Sequence, residues 1–180
     1  MLTLVLGGIR SGKSAFAVEL GRAAGDAVTC LATGVASDGE MRRRIEAHRS
    51  ARPAGWTVVE EPLAIATAVP VGTGTVLLDS VDGWLANRME AAGGASADLS
   101  GDRGEELVAA CAADVAALEA RAAHVVAVSA EVGLSLLPLT AYGRAFSDLL
   151  GALNQRLAAG AVEVYLVAAG IPLALRRTSR

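Results

Sequence analysis

Residues 7–14 read GGIRSGKS and directly follow LTLVL at residues 2–6. The stretch matches the pattern G-x-x-x-x-G-K-S/T, whose glycines let backbone N–H groups turn inward around phosphate oxygens. The pattern works only between a strand and a helix, because the start of the helix contributes partial positive charge. The sequence therefore predicts an α/β domain that binds a nucleoside triphosphate, with Lys13 at the β- and γ-phosphates and the Ser14 hydroxyl on Mg²⁺.

The basic residues of the chain support this interpretation of the loop. Lys13 is the only lysine among 16 lysine and arginine residues. A compact, flexible ammonium group therefore occurs only where the phosphate motif requires one. The alternative is a glycine-rich turn that carries a lysine by chance, and the position of the sole lysine argues against it.

Apolar, β-branched segments alternate with alanine- and leucine-rich segments along the chain. This alternation predicts a mainly parallel central sheet with helices on both faces, in a single domain over residues 1–180. Strands are predicted at 2–6, 26–33, 56–60, 75–79, 124–131, 163–170 and 171–177, and helices at 13–24, 37–50, 82–92, 104–122 and 140–159. The last two strands are expected to be adjacent and buried. The turn-rich segment 93–104 is expected to be a mobile surface loop.

Composition and charge exclude several classes of function. No apolar run reaches the ~18 residues that a membrane-spanning helix needs, and the start of the chain has no basic region or cleavage site typical of a signal peptide. A net charge of −3 provides no general attraction to nucleic acid. Cys30 and Cys111 lie in apolar segments, which predicts buried free thiols in a cytoplasmic protein.

Two acidic residues follow predicted strands and are candidates for a metal site. Asp79 ends TVLLD at 75–79, so it would project from the carboxyl edge of a buried strand, where ligands bind in open α/β sheets. It could hold Mg²⁺ directly or through water, or it could simply cap the next helix. Glu131 ends HVVAVSAE at 124–131 and has the same two interpretations.

His48, one of only two histidines, lies near the end of the predicted helix 37–50. A capping-box pattern marks the start of this helix, and Pro53 follows its end. His48 would lie at the edge of the apolar stripe that Met41 and Ile45 form. One interpretation is therefore a half-buried histidine favoured by the helix dipole.

The surroundings of His48 favour a second interpretation. Arginines would oppose protonation of the imidazole, keep it neutral and nucleophilic, and hold an anionic phosphate close to it. These arginines stand at positions 42, 43, 44, 49 and 52. Such an arrangement fits covalent phosphoryl or nucleotidyl transfer, and physics alone leaves both interpretations open. His124 begins a strand without such neighbours and is expected to be structural.

The chain resembles the bifunctional adenosylcobinamide kinase/adenosylcobinamide-phosphate guanylyltransferase family of cobalamin biosynthesis. The stretches that carry the resemblance are GGIRSGKS, RIEAHRSARPAGWTVVE at 44–60, LLDSVDGWLAN at 77–87, EVG at 131–133 and NQRLA at 154–158. The phosphate loop is common to many enzymes, but the block H-x-x-x-R-P-x-x-W is far more specific. The resemblance implies a RecA-like P-loop fold, assembly as a homotrimer, GTP or ATP as donor with Mg²⁺, and a corrinoid as acceptor.

The resemblance also implies roles for individual residues. His48 would attack the α-phosphate of GTP, releasing pyrophosphate and forming a histidine–GMP phosphoramidate that adenosylcobinamide phosphate then displaces. Lys13 would serve the kinase step, in which the aminopropanol hydroxyl of adenosylcobinamide receives the γ-phosphate. The implied metal ligands are Ser14 and Asp79. The implied nucleotide contacts are Gly7, Gly8, Ile9, Arg10, Ser11, Gly12, Lys13, Ser14, Ala32, Thr33, Gly34, Arg49, Ser50, Ala51, Arg52, Glu60 and Asp79.

Two positions depart from the family pattern. Ala130 stands before EVG, where asparagine is usual, and Asp82 stands near the acidic strand end, where threonine is frequent. Two other functions remain open from the residues alone. One is a different P-loop small-molecule kinase, in which the arginines near His48 form a lid. The other is a nucleotide-binding regulatory module without chemistry.

Overall fold

The structure, a computed structural model, describes residues 1–25, 27–36, 39–50 and 53–177. Within 39–50 it describes the backbone but not the side chains of Glu40, Met41, Arg44, Ala47 and His48. The predicted capping residues Ser37 and Asp38 and the predicted nucleotide contacts Ala51 and Arg52 lie outside the described residues.

One sheet forms the centre of the described chain. Its strands are β1 (Leu2–Gly7), β2 (Val28–Ala32), β3 (Thr57–Glu60), β4 (Thr73–Asp79), β5 (Ala122–Ala130), β6 (Glu163–Ala168) and β7 (Ile171–Arg177). They are ordered β3–β2–β4–β5–β1–β6–β7. All neighbouring strands are parallel except β7, which pairs antiparallel with β6. The strand β1 therefore lies inside the sheet, between β5 and β6.

Helices connect the parallel strands, as crossovers between parallel strands require. They are α1 (Lys13–Ala23), α2 (Gly39–Ser50), α3 (Val81–Ala91), α4 (Gly101–Arg121) and α5 (Ala141–Gly160). Two single-turn 3₁₀ helices lie at Ile65–Thr67 and Gly94–Ser96. None of the described helices combines the length and apolar character needed to cross a membrane.

The core has two layers, one on each face of the sheet. Side chains alternate between the faces of a strand, so Leu4 of β1 packs with Trp84 of α3 on one face, together with α4 and α5. On the other face, Val5 of the same strand and Val126 of β5 pack against Ala17 of α1. The predicted α/β class, with a mainly parallel sheet and helices on both faces, is confirmed.

The final strand differs from the expectation. β6 and β7 are adjacent, as predicted, but all seven residues of β7 are exposed. The prediction of two buried strands is therefore wrong for β7. Its position explains the difference, because β7 is the edge of the sheet and has β6 as its sole neighbour in the strand order. Apolar composition does not reveal whether a strand is central or at an edge.

The segment 93–104 is anchored more firmly than a mobile surface loop would be. Most of its residues are exposed, but Leu99 is only 7% exposed and packs in the same core layer as α3 and α4. The helix α4 begins at Gly101, three residues earlier than the sequence indicates. Leu99 therefore ties the connection between α3 and α4 to the core.

Candidate functional site

The phosphate motif forms a tight loop between β1 and α1, which is the context that the motif requires. The Ser11 N–H donates to the Gly8 carbonyl at 3.3 Å. Arg10 (φ 56°) and Gly12 (φ 95°) adopt the left-handed conformation that turns the chain into the helix. The ammonium group of Lys13 reaches back across the loop to the Gly8 carbonyl at 3.3 Å. The predicted phosphate-binding residues are thus brought together at one strand end.

Close packing explains the first glycine of the motif. A Cβ atom on Gly7 would lie against the Ser11 hydroxyl and 2.8 Å from the Val167 carbonyl oxygen. The neighbouring Gly8 is different, because a Cβ atom there would meet nothing within 4 Å. Only the first of these two glycines is required by the packing of the loop.

Neighbouring strands hold the loop from both sides. The Glu131 N–H, just after β5, donates to the Gly7 carbonyl at 3.1 Å. The Gly170 N–H, in the turn between β6 and β7, donates to the Ser11 carbonyl at 2.8 Å. A Cβ atom on Gly12 would approach the Gly170 Cα to 3.0 Å. Backbone hydrogen bonds and close packing from the neighbouring strands therefore fix the shape of the loop.

The residues after β2 and β4 form a second part of the site. The Thr33 N–H donates to the Asp79 carbonyl at 3.1 Å. The Thr33 hydroxyl donates to the Ser80 carbonyl at 2.8 Å and accepts from the Ser80 N–H at 3.0 Å. The Asn87 amide donates to the Thr33 carbonyl at 2.8 Å. Thr33 is fully buried, so its side chain braces β2 against β4, and its contact with nucleotide stays a prediction.

Ser14 and Asp79 present oxygen atoms at the same edge of the sheet. Ser14 is half-buried in the first turn of α1, and Asp79 is the half-buried last residue of β4. β5 alone lies between β1 and β4, so the two strand axes are about 10 Å apart. The described residues contain no group of three or more His, Cys, Asp or Glu side chains suited to a metal. Two oxygen donors suit Mg²⁺, which keeps several waters and binds substrate phosphates directly.

Glu131, the other acidic candidate, has a local role in the structure. Its two carboxylate oxygens accept hydrogen bonds from the Gly133 N–H at 2.8 Å and the Leu134 N–H at 3.1 Å. The carboxylate therefore caps the turn that follows β5. Glu61 does the same after β3, where the N–H groups of Ala64 and Leu63 lower the pKa of its carboxyl group.

The helix α2 is attached to the sheet at the ends of β2 and β3. Arg49 forms an ion pair with Glu60, the last residue of β3. The side chain of Ile45 packs over Gly34, where an added Cβ would lie 3.2 Å from it. Arg49 also lies 3.7 Å from Glu46 on its own helix. The predicted nucleotide contacts Arg49 and Glu60 thus bind each other.

His48 precedes Arg49 on α2, and only its backbone is described. The ends of β2 and β3 are three and four strands away from β1 in the sheet. The corresponding separations from the phosphate loop are about 14 and 19 Å. The structure therefore places the His48 segment and the phosphate loop on one edge of the sheet, at different positions along it. Ala32 and Gly34 lie on either side of Thr33 at the end of β2, nearer α2 than the loop.

Two residues near the site, Asn154 and Ser129, were given no role from the sequence. The Asn154 amide on α5 donates to the Ala130 carbonyl at 3.0 Å and accepts from the Ser129 hydroxyl at 2.7 Å. These contacts fix the end of β5 next to the phosphate loop. The only sequence signal was the stretch NQRLA, because a contact between residues 24 or 25 positions apart has no local pattern.

The other histidine and the cysteines have the structural roles expected of them. His124 lies 2.9 Å from the Thr3 hydroxyl through its Nε2 atom, near the beginnings of β5 and β1 and away from the phosphate loop. Cys30 and Cys111 are fully buried, and neither forms a disulfide among the described residues. Burial raises the pKa of Cys111 to about 11.

Comparisons with known proteins agree with this arrangement. The model of a family described as cobinamide kinase / cobinamide phosphate guanyltransferase matches residues 3–175. The chain is 37% identical over 179 residues to the bifunctional adenosylcobalamin biosynthesis protein CobP of Pseudomonas aeruginosa, covering 98% of each chain. It is 36% identical over 193 residues to the bifunctional protein CobU of Salmonella typhimurium, and 37% identical over 186 residues to that of Escherichia coli. Each of these two alignments covers 98% of this chain and 100% of the relative.

Proposed function

The chain belongs to the cobinamide kinase / cobinamide phosphate guanyltransferase family, and from this premise we propose that both reactions use the nucleotide at the phosphate loop. The enzyme is a bifunctional kinase and guanylyltransferase of adenosylcobalamin biosynthesis. The observation that carries the proposal is the loop itself. It is held in shape by β5 and β6, with the sole lysine at its end and α2 attached to the same edge of the sheet.

In the kinase step, the loop binds the β- and γ-phosphates of ATP or GTP through its backbone N–H groups and Lys13. The aminopropanol hydroxyl of adenosylcobinamide attacks the γ-phosphorus, the bond to the β–γ bridging oxygen breaks, and the nucleoside diphosphate leaves. Such phosphoryl transfer depends mainly on positioning and on electrostatic stabilisation of charge. Arg10 is exposed on the same loop and would add a second positive charge there.

In the guanylyl step, an imidazole nitrogen of His48 attacks the α-phosphorus of GTP and pyrophosphate leaves. The phosphate oxygen of adenosylcobinamide phosphate then attacks the same phosphorus, the bond to nitrogen breaks, and adenosylcobinamide-GDP forms. A neutral imidazole is required for the first attack. Once α2 has moved and the ion pair with Glu60 has broken, Arg49 next to His48 would oppose protonation of the imidazole and steady the transferred phosphate.

The separation between α2 and the phosphate loop suggests how one nucleotide site presents the γ-phosphate for the kinase step and the α-phosphate for the guanylyl step. With β2 about 14 Å from β1, His48 reaches the α-phosphate only if α2 moves or the triphosphate extends across the ends of β5 and β4. We propose a movement of α2, because its described links to the sheet are the exposed Arg49–Glu60 ion pair and the contact of Ile45 with Gly34. A nucleotide-bound structure with α2 unmoved and His48 far from the α-phosphate would contradict this proposal.

Mg²⁺ completes the proposed site. Ser14 and Asp79 would hold it, together with phosphate oxygens and water, and it would neutralise charge that develops on the phosphates. The two residues suit it because both offer oxygen ligands, which hard cations prefer.

We also propose a cytoplasmic homotrimer. Cys30 and Cys111 are buried and form no disulfide among the described residues, which suits a reducing compartment. One exposed apolar surface supports association. It lies on β7, where Ile171, Leu173 and Leu175 alternate along the strand. An edge strand with exposed apolar residues favours contact with another chain.

Labelled GTP tests the proposed chemistry directly. The purified protein is incubated with Mg²⁺ and GTP labelled at the α-phosphate or, separately, at the γ-phosphate. We expect protein-bound label from the α-position alone, stable in base and lost in acid, as a phosphoramidate requires. His48→Ala should lose the label, whereas His124→Ala, at the chain's other histidine, should keep it. GTP turnover without covalent label would instead place the protein among P-loop kinases without a histidine intermediate.

A further inference from the structure

A groove of about 450 Å³ lies between α5 and the segment that follows β5. Its walls include Leu136 and Pro138 of that segment and Gly151 of α5, and Leu6 and Glu131 also line it. The volume falls in the range of ~300–1,000 Å³ that is typical of small-molecule sites. None of the nucleotide contacts implied by the sequence lines this groove.

The groove adjoins the phosphate loop. Leu6 is the residue before Gly7 in β1, and the Glu131 N–H donates to the Gly7 carbonyl at 3.1 Å. The groove and the loop therefore share the end of β1. A hydroxyl group held in the groove would lie at the same strand end as the phosphates bound by Lys13.

The charge of the groove indicates which ligand it suits. Two carboxylates, Glu131 and Asp148, line it, and its lining contains no lysine or arginine, so it is unsuited to a phosphate. The Glu131 carboxylate already accepts two backbone N–H groups. Among the described residues, neither Asp148 nor the neighbouring Gln155 has a side-chain hydrogen bond or ion pair, so both can serve a ligand. The groove therefore suits a neutral or cationic ligand that carries hydrogen-bond donors.

The rim of the groove is strongly apolar. Leu134, Leu136, Leu137 and Leu139 are 84%, 94%, 75% and 97% exposed. Single exposed leucines are common, but four within six residues form the kind of patch that marks an interaction site. An apolar rim beside a groove that carries two carboxylates suits a ligand with a broad hydrophobic face and an arm that donates hydrogen bonds.

We infer that the groove receives the aminopropanol arm of the corrinoid substrate, with the corrin ring against the leucine rim. The inference rests on the proposed function. A cobalt(III) corrinoid matches the site, because it carries positive charge, amide side chains and an arm that ends in the acceptor hydroxyl. The groove is too small for the ring, so only the arm and adjoining amides enter, where Asp148 and Gln155 accept and donate hydrogen bonds.

Gly151 allows the groove to be filled without disturbing the fold. A Cβ atom on Gly151 meets nothing within 4 Å, and replacing a glycine inside a helix favours the helix. Gly160, the last residue of the same helix, has equally open surroundings and does not line the groove. Gly151→Phe is therefore the test, and Gly160→Phe is its matched control.

The experiment measures kinase kinetics with adenosylcobinamide, the affinity for a fluorescent GTP analogue, and the sedimentation coefficient. Gly151→Phe should raise KM for adenosylcobinamide by about tenfold or more, since the side chain occupies the space of the arm. Its affinity for the GTP analogue and its sedimentation coefficient should stay unchanged, and Gly160→Phe should behave like the wild type. The surface change Leu136→Ser, which cannot unfold the core, should raise the same KM by about threefold.

The other outcomes separate the two proposals. If Gly151→Phe and Leu136→Ser both leave KM for adenosylcobinamide unaltered, the groove does not receive the aminopropanol arm, while the proposed function stays in place. A changed sedimentation coefficient with unaltered KM also overturns the inference about the groove, because the groove is then a contact between subunits. A loss of GTP affinity that matches the rise in KM overturns it as well. If the wild type neither binds nor phosphorylates adenosylcobinamide, the proposed function is wrong, and the inference about the groove is wrong with it.

Discussion

The Asp82 carboxylate at the start of α3 accepts a hydrogen bond from the Ala130 N–H at the end of β5, with the two atoms 3.0 Å apart. The Ala130 carbonyl is also bound by a side chain, the Asn154 amide, at 3.0 Å. Asp82 and Ala130 are the two positions expected from the sequence to depart from the family pattern, and they contact each other in the structure. Together they hold the end of β5 one residue before Glu131, which supports the phosphate loop.

Removal of the Asp82 carboxylate should weaken both stability and catalysis. Asp82→Ala leaves the partly buried Ala130 N–H without its acceptor, which costs about 1–3 kcal/mol of unfolding free energy. Asp82→Asn keeps an oxygen acceptor and should lose less. Urea denaturation measures the stability, and kinase assays should show a lower kcat with little change in KM for nucleotide. Equal stability of Asp82→Ala and the wild type would contradict this role.

The first glycine of the phosphate loop should be irreplaceable and the second should not. Gly7→Ala pushes a methyl group against Ser11 and the Val167 carbonyl, which the fixed backbone cannot relieve, so we expect a loss of about 1–3 kcal/mol and of GTP binding. Gly8→Ala, with open space around its Cβ, should unfold at the wild-type temperature. Thermal unfolding and titration with a fluorescent GTP analogue distinguish the two. A stable, GTP-binding Gly7→Ala would refute the packing argument.

The ion pair between Arg49 and Glu60 should matter for one reaction only. Both side chains are more than half exposed, so Glu60→Gln should change the unfolding free energy by less than about 1 kcal/mol. Because this pair holds α2 at β3, away from the phosphate loop, its loss should make the proposed movement of α2 easier. We therefore expect the rate of histidine guanylylation to rise, by up to about fivefold, while the kinase rate stays near that of the wild type. Rapid-quench kinetics with α-labelled GTP measure the first rate. A parallel loss of both activities would instead indicate a shared nucleotide contact.

The two cysteines should be unreactive in the native protein. Cys30 and Cys111 are fully buried, and burial raises the pKa of Cys111 from 9.0 to about 11, so few thiolates exist at pH 8. A thiol reagent should therefore label neither cysteine before unfolding and both in denaturant.

The raised pKa of Cys111 makes the free energy of unfolding depend on pH. Because the pKa of the Cys111 thiol is higher in the folded protein, the unfolded chain loses this proton at lower pH than the folded protein does. The resulting contribution to stability is complete below about pH 9 and is lost as the pH rises towards 11. Cys111→Ala should lose stability less steeply than the wild type over that range, as measured by urea denaturation. An identical slope in the two proteins would show that Cys111 does not titrate there.

The fold was largely predictable because its signals are local. The phosphate motif fixed the order of β1, loop and α1, and apolar runs located the other parallel strands within a few residues. The exposed edge strand β7 was not predictable, since its composition resembles that of the buried strand β6.

The candidate site was predictable only in part. The residues from Gly7 to Ser14 are contiguous, so their grouping followed directly from the sequence. The bonds of Asp82 and Asn154 to Ala130 join residues 48 and 24 positions apart, which no local spacing reveals. The carboxylate of Glu131 was ambiguous for a related reason, because its turn-capping bonds depend on the backbone after β5.

The bond from Gly170 to Ser11 has a consequence for the order in which the enzyme is made. Of the described elements, β6 and β7 leave the ribosome last, yet the turn between them closes the loop that begins at Gly7. A nascent chain that ends before residue 163 would contain every predicted nucleotide contact but lack one of the two supports of that loop. Competence to bind GTP should therefore be acquired only after β6 and the turn that follows it have been synthesised, so that the growing polypeptide does not hold nucleotide before its sheet is finished.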